Sequence, residues 1–264
     1  MQVNKTLMIT ALSSTEFSHR LVAHRGWPQR HPENSYAGIK AALALGLQHI
    51  EIDVQLSADL VPVVCHDHHL MRLCGQDNDV RLTTLEQLQA FSFHEPGRLG
   101  PQHYPTKLMT LADCATLIAQ YPSATLYVEI KRKSLYHFGR STVLQAIDLA
   151  LKPIQQQSAL ISFDIAVLQL AQRQQLGYPL IPVLLNTQQW YDKDIKQLQP
   201  PYVFCDDDDL DPAQNLHAIP YPAVVYEIAD YEKAMALLTR GALRIESFCC
   251  GELIAAHAAH VAST

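Results

Sequence analysis

Short runs of apolar, mostly β-branched residues alternate along this chain with longer stretches whose apolar positions recur at helical spacing. The first run covers residues 20–24. A helical pattern follows over 33–45, with Ile39, Ala42 and Leu43 on one face and Gly46 as its stop. Strand-like runs come next at 49–54 and 61–66. The six residues between them, 55–60, are too few for a crossover helix, so this pair reads as a hairpin or a directly joined pair.

Residues 67–107 break the rhythm. They carry Gly75, Pro96, Gly97, Gly100, Pro101 and Pro105 around one helical pattern at 85–91, and read as an insertion on one end of the domain. The alternation then resumes, with helices predicted at 111–120, 142–151, 165–176 and 231–239. Strands are predicted at 125–130, 159–163, 180–185, 202–205, 223–228 and 243–245. Apolar strands alternating with helices argue for a parallel sheet covered by helices. The number of strands and the length fit an α/β chain folded as a (β/α)₈ TIM barrel over 1–264, with a small insertion after the third strand. Nine strand-like runs are one more than a barrel needs, so one must lie outside it or not be a strand. An open doubly wound sheet is the competing architecture, and no G-x-G-x-x-G follows an early strand to support it.

Composition narrows the function classes. The chain has 264 residues, 48% hydrophobic and 17% charged, which suits a buried core and argues against disorder and coiled coil. A formal net charge of -6, with no Lys/Arg block, argues against nucleic acid or an anionic membrane surface as partner. Any anionic substrate must be held locally, by a metal or by a few placed cations. Six cysteines without a C-x-x-C pair read as free thiols in a reducing compartment. The apolar run 7–12 is shorter than a secretory core, and no stretch approaches a membrane span, so the expected setting is cytoplasmic.

The informative chemistry lies where polar residues interrupt apolar strands. The first strand ends in His24-Arg25-Gly26, the second reads Ile50-Glu51-Ile52-Asp53-Val54, and the third ends in Cys65-His66-Asp67. The fourth reads Val128-Glu129-Ile130-Lys131. Residues i and i+2 of a strand share a face, so Glu51 pairs with Asp53 and Glu129 with Lys131. In a barrel such faces converge at the C-terminal rim, where the active sites of this fold lie. Three carboxylates about 5 Å apart would each repel the next by roughly 3 kcal/mol at an effective dielectric of ~20. A bound divalent cation relieves this, and an all-oxygen set points to Mg²⁺ or Ca²⁺. The alternative is a structural ion-pair network with Arg25 and Lys131. His24 and His66 are the acid/base candidates, since imidazole titrates near neutrality. Arg25 suits a bidentate grip on phosphate, and Lys131 a phosphate contact or neutralisation of the acids. Pro32-Glu33-Asn34 reads as the opening of a helix, Asp206 to Asp209 as a solvated loop, and His257 and His260 as part of a surface tail.

At these positions the chain resembles the glycerophosphodiester phosphodiesterase family. The matching pieces are Ala23-His24-Arg25-Gly26, Pro32-Glu33-Asn34, Ile50 to Val54, Val63 to Asp67, and Val128 to Lys131, with weaker matches at Pro105 to Leu108 and Ile161-Ser162-Phe163-Asp164. The resemblance implies hydrolysis of glycerophosphodiesters to glycerol 3-phosphate and an alcohol, through a cyclic phosphate and with one divalent cation. It implies Glu51, Asp53 and Glu129 as metal ligands, His24 and His66 as general acid and base, and Arg25 and Lys131 as phosphate contacts; Phe163, in one of the weaker matches, and Tyr226, which can stack on a substrate glycerol or headgroup, are the further candidate substrate contacts. The C-terminal part departs from the pattern. Tyr226-Glu227-Ile228-Ala229 stands where members often carry a Trp-Thr-Val-Asn-like strand, and Glu246-Ser247 where a Thr-Asp pair often closes the last strand.

The expected partner is a small-molecule glycerophosphodiester, with no nucleic acid and no integral membrane segment. Oligomeric state is not legible. Three further readings compete: a lyase-type phospholipase acting on lysophospholipid or sphingomyelin, which needs an apolar membrane-facing rim, a non-catalytic barrel that binds a phosphodiester, and a metal-dependent barrel isomerase of sugars, which would dispense with Arg25. The second has no use for two imidazoles.

Overall fold

The apolar runs become nine strands in the computed structural model, which describes residues 12–263. They are β1 (Leu21–Ala23), β2 (His49–Leu56), β3 (Pro62–Val64), β4 (Thr125–Ile130), β5 (Ser158–Ser162), β6 (Leu180–Pro182), β7 (Val203–Asp206), β8 (Ala223–Tyr226) and β9 (Arg244–Ser247). Eight of them run parallel in the order β6-β5-β4-β2-β1-β9-β8-β7. The two ends of this path meet where Val183 bridges to Phe204 in parallel, with Leu184 N–H donating to the Phe204 carbonyl at 2.8 Å. The sheet is therefore a nearly closed barrel. The surplus strand is β3, which pairs antiparallel with the far end of β2, Val54 opposite Val64. The short 55–60 connection permits only that pairing.

The strict alternation within β2 and β4 explains both layers of the core. Ile50, Ile52 and Val54 on β2, and Leu126, Val128 and Ile130 on β4, face outward into the layer between sheet and helices. Tyr127 joins Val22, Ala159, Ile161, Ile181, Val183, Phe204 and Val224 in a separate apolar cluster that fills the barrel interior. Burial of this kind contributes about 1.5–3 kcal/mol per large side chain. Glu51, Asp53 and Glu129 share the inward face with that cluster and lie above it. The register seats Asp53 directly beside Glu129.

The insertion packs around a small core of its own, in which Leu70, Leu73, Val80, Leu88 and Phe93 cover Val63 of β3. Its predicted helix forms at Leu85–Gln89, where Thr84 and Gln87 make a reciprocal capping box.

Three expectations need correction. The helix expected from residue 33 begins at Tyr36, because Asn34 adopts φ 55° and Ser35 supplies the cap, its Oγ accepting from Gly38 N–H. The chain also does not end in a surface tail. Cys250–Ser263 is a helix, and His257 within it is only 1% exposed. Its ring stacks on Phe17 at 4.3 Å, Nε2 lies 2.8 Å from the Leu12 carbonyl, and Nδ1 lies 3.0 Å from the Tyr231 hydroxyl. That helix carries no strong apolar stripe because much of its length is alanine. Helices at Ser14–Ser18 and Lys193–Leu198 were not read from the sequence either. Of the apolar run 7–12, only Leu12 falls within the described residues.

Among the described residues no helix is long and apolar enough to cross a membrane. The six cysteines are free.

Candidate active site

Each polar interruption of a strand lands at the same end of the barrel. A cavity of about 140 Å³ opens there, lined by His24, Arg25, Glu51, His66, Glu129, Lys131, Phe163 and Tyr226. Asp53 is fully buried against this group, bound by Arg25 and Lys131. All nine residues singled out in the sequence are thus brought together, from the ends of β1, β2, β3, β4, β5 and β8.

Local backbone fixes the first of them. After β1 the chain turns sharply, with Arg25 at φ 57° and Gly26 at φ 85°. A Cβ on Gly26 would meet the Gly38 carbonyl carbon and the Ile39 nitrogen at 2.8 Å, so only glycine lets the turn lie against the 36–44 helix. The turn aims the Arg25 backbone N–H at Glu51 Oε2, 3.1 Å away. The His24 ring stacks on Phe248 at 4.2 Å, nearly parallel, and the Arg25 guanidinium lies over the same ring. His24 Nε2 is 3.8 Å from Glu51 Oε2. Its Nδ1 is 3.7 Å from Glu227 and 3.9 Å from Glu246.

The cations lie among the acids. Arg25 Nε is 3.0 Å from Asp53 Oδ2 and its Nη1 is 3.3 Å from Glu33. Lys131 Nζ is 3.0 Å from Asp53 Oδ1 and 2.9 Å from Glu129 Oε1. Asn34 clamps Asp53 from behind: its amide nitrogen donates to Oδ2 at 2.9 Å, and its amide oxygen accepts from the Asp53 N–H. The ion-pair network weighed in the sequence is therefore present, and it leaves the acids under-neutralised. Five carboxylates (Glu51, Asp53, Glu129, Glu227 and Glu246) converge on the cavity against Arg25 and Lys131.

The electrostatics express that imbalance. Burial pushes the Glu51 carboxyl well above the ordinary range, and Asp53 and Glu246 push it further. Burial and the neighbouring Glu129 do the same to Glu246. Burial also raises Glu129, against the pull of Lys131. Asp53 goes the other way: burial opposes its charge, yet Lys131 and Arg25 hold it well below the usual carboxylate range. Burial, aided by Arg25, lowers His24 well below an ordinary imidazole.

The donor set fits a cation. One oxygen from each of Glu51, Asp53 and Glu129 lies within 4.8 Å of the others, and Glu51 Oε1 is buried with no hydrogen-bond partner. A buried, orphaned acceptor beside two more carboxylates is costly without a ligand. An all-oxygen set is the chemistry of a hard divalent ion.

The sequence reading did not place Glu227 and Glu246 in the site. Glu246 is 3% exposed and its Oε1 has no partner. The signal was available: Arg244-Ile245-Glu246-Ser247 interrupts an apolar strand in the same way as Ile50-Glu51-Ile52. The links supplied by the insertion carried no such signal. Arg72 binds Glu33 through both terminal nitrogens, at 2.7 and 2.8 Å, and its Nε reaches Asp67 at 2.7 Å. Glu95 accepts from the Glu33 N–H at 2.8 Å.

Comparison with known proteins gives the family and the fold of the chain. The curated relatives include a human lysophospholipase D, 31% identical over 122 residues, 45% of this chain and 37% of that protein. A probable glycerophosphodiester phosphodiesterase of Mycobacterium tuberculosis is 31% identical over 120 residues, 44% of each chain. A glycerophosphodiester phosphodiesterase of Bacillus altitudinis is 32% identical over 123 residues, 45% of this chain and 47% of that one. Each match spans less than half of the relative. Among solved structures, an Oleispira antarctica phosphodiesterase in complex with the product sn-glycerol-3-phosphate superposes with a TM-score of 0.80 at 23% identity, covering 92% of this chain and 98% of that one. A Silicibacter pomeroyi structure described as a glycerophosphoryl diester phosphodiesterase gives 0.76 at 21%, over 90% and 93%. These two likenesses establish the barrel. The model of the glycerophosphoryl diester phosphodiesterase family matches residues 24–244, from the first imidazole of the cavity to the start of the last strand, and on that match the chain belongs to this family.

Proposed function

We propose that this protein hydrolyses glycerophosphodiesters to glycerol 3-phosphate and an alcohol. The observation that carries the reading is the joint presence, around one cavity, of two imidazoles, two fixed cations and a triad of carboxylates able to hold a cation. Phosphate binding alone needs the cations. Moving protons on and off oxygen needs the imidazoles as well.

Glu51, Asp53 and Glu129 would hold one divalent ion, Mg²⁺ or Ca²⁺. When bound, such an ion supplies charge neutralisation at the phosphate oxygens and acidifies a neighbouring hydroxyl. Arg25 and Lys131, already poised at the triad, bind the remaining phosphate charge and stabilise it as it grows on the non-bridging oxygens. One of the two imidazoles, His24 or His66, takes the proton from the glycerol hydroxyl next to the phosphate. The hydroxyl oxygen then bonds to phosphorus while the bond to the alcohol oxygen breaks. The other imidazole donates its proton to that departing oxygen. Water opens the resulting cyclic phosphate with the two roles exchanged. Phe163 and Tyr226 wall the cavity and offer aromatic faces on which the substrate can stack.

The test is a panel of soluble glycerophosphodiesters with released glycerol 3-phosphate as the readout. Turnover that is lost in His24→Ala and in His66→Ala, with the fold retained, supports the reading. Absence of turnover on the whole panel overturns it. The human and mouse relatives named lysophospholipase D favour a second reading, cleavage of lysophospholipids. Faster turnover of lysophosphatidylcholine than of glycerophosphocholine would select it.

A further inference from the structure

The cavity continues outward into a groove of about 760 Å³, with which it shares His66, Glu129, Lys131 and Phe163. The two spaces differ in charge. The inner one ends on Ile161, Val183 and Phe204 and carries Glu227 and Glu246 on its wall. Glu246 Oε1 is buried there without a partner, so that end favours a group that donates hydrogen bonds. The outer groove carries Arg132 and Lys133, both exposed.

The acids of the outer groove are already matched. Asp67 is bound by His66 at 2.6 Å and by Arg72 at 2.7 Å, and Glu129 by Lys131 at 2.9 Å. Among the described residues, neither Arg132 nor Lys133 forms an ion pair. The Arg132 guanidinium instead lies over the Phe163 ring, 5.1 Å from its centroid, on the wall common to both spaces.

A phosphodiester seated between the imidazoles has two ends. The inner end meets carboxylates and the outer end meets a guanidinium and an ammonium. We propose that the outer groove is the subsite for the departing alcohol, and that it selects alcohols bearing an anionic group, a carboxylate or a second phosphate, over cationic ones. The inference rests on the hydrolytic reading above. It assigns Arg132 and Lys133 as specificity-determining residues and orients the substrate with its glycerol hydroxyls inward, toward Glu227 and Glu246.

Glycerophosphoserine and glycerophosphoethanolamine form a matched pair, differing by one carboxylate on the alcohol. At low ionic strength the wild type should favour the serine diester in kcat/KM by about fivefold to tenfold, the scale of one or two exposed charge contacts. Salt should shrink that ratio, since exposed charges are screened. The Arg132→Glu/Lys133→Glu variant should reverse it. Lys133→Glu alone changes one exposed side chain and should lower the ratio part of the way, which keeps the test open if the double variant fails to fold. A ratio near one, unmoved by salt and by charge reversal, overturns the assignment while leaving hydrolysis intact. Failure to turn over either diester while other glycerophosphodiesters of the panel are hydrolysed also overturns the assignment, and failure on the whole panel overturns the hydrolytic reading itself.

Discussion

Asp67 Oδ1 lies 2.6 Å from His66 Nδ1. The contact leaves Nε2 as the ring nitrogen available for proton exchange and fixes the tautomer of the neutral ring. Asp67 is itself held by Arg72, which reaches on to Glu33, and Glu33 touches Arg25. One unbroken chain of charged contacts therefore runs from His66 through the insertion to the far side of the cavity.

Asp67→Asn should keep the size of the side chain and lose the charge that orients the ring. Partners of this kind typically set activity by ten- to a hundredfold when removed, and a loss of about that size is expected in kcat. Steady-state kinetics on glycerophosphocholine checks it, with thermal unfolding as the control for an intact fold.

Gly26→Ala should damage both fold and activity. The added Cβ would meet backbone atoms of Gly38 and Ile39 at 2.8 Å, at a backbone φ of 85°, and backbone cannot step aside as a flexible side chain can. A destabilisation of about 2–4 kcal/mol is expected from strain and displacement together. Urea unfolding measures it. The displaced turn should also move His24 and Arg25 away from Glu51.

Acid should destabilise the fold through His49. This imidazole lies within 3.3 Å of the Tyr127 hydroxyl, and burial, reinforced by Arg244, pushes it down to about 3 from an ordinary 6.5. The folded state thus keeps His49 neutral where the unfolded chain protonates it. The unfolded state binds the extra proton, so stability is full above pH 6.5 and falls as pH drops from there toward 3. His49→Gln should flatten the slope of unfolding free energy against pH between about 6.5 and 4. An unchanged slope would assign the acid sensitivity to other groups.

Much of the barrel and its site was legible because the strand period is two. Glu51, Asp53, Glu129 and Lys131 stood out against isoleucine and valine, and the alternation gave their common face before any coordinates. His24 and His66 were legible as strand ends. The extra strand was counted but not placed until its antiparallel register with β2 was seen. Glu246 stood out only as a departure from the family pattern, although the same alternation puts it on the inward face. Arg72 and Asn34 were not readable, since an insertion without periodicity gives no direction to its side chains, and Asn34 reaches Asp53 only through a left-handed turn. His257 was mistaken for surface because an alanine-rich helix hides its buried face.

³¹P NMR of the diester in the presence of the protein tests most directly the proposal that Glu51, Asp53 and Glu129 hold a divalent cation beside the two imidazoles. After chelation and removal of the chelator, the diester resonance should persist. On addition of Mg²⁺ or Ca²⁺ it should give way to that of glycerol 3-phosphate, and Glu51→Gln should abolish this response. Conversion to the monoester at the same rate with and without chelation, or no conversion under any metal condition, would contradict the account.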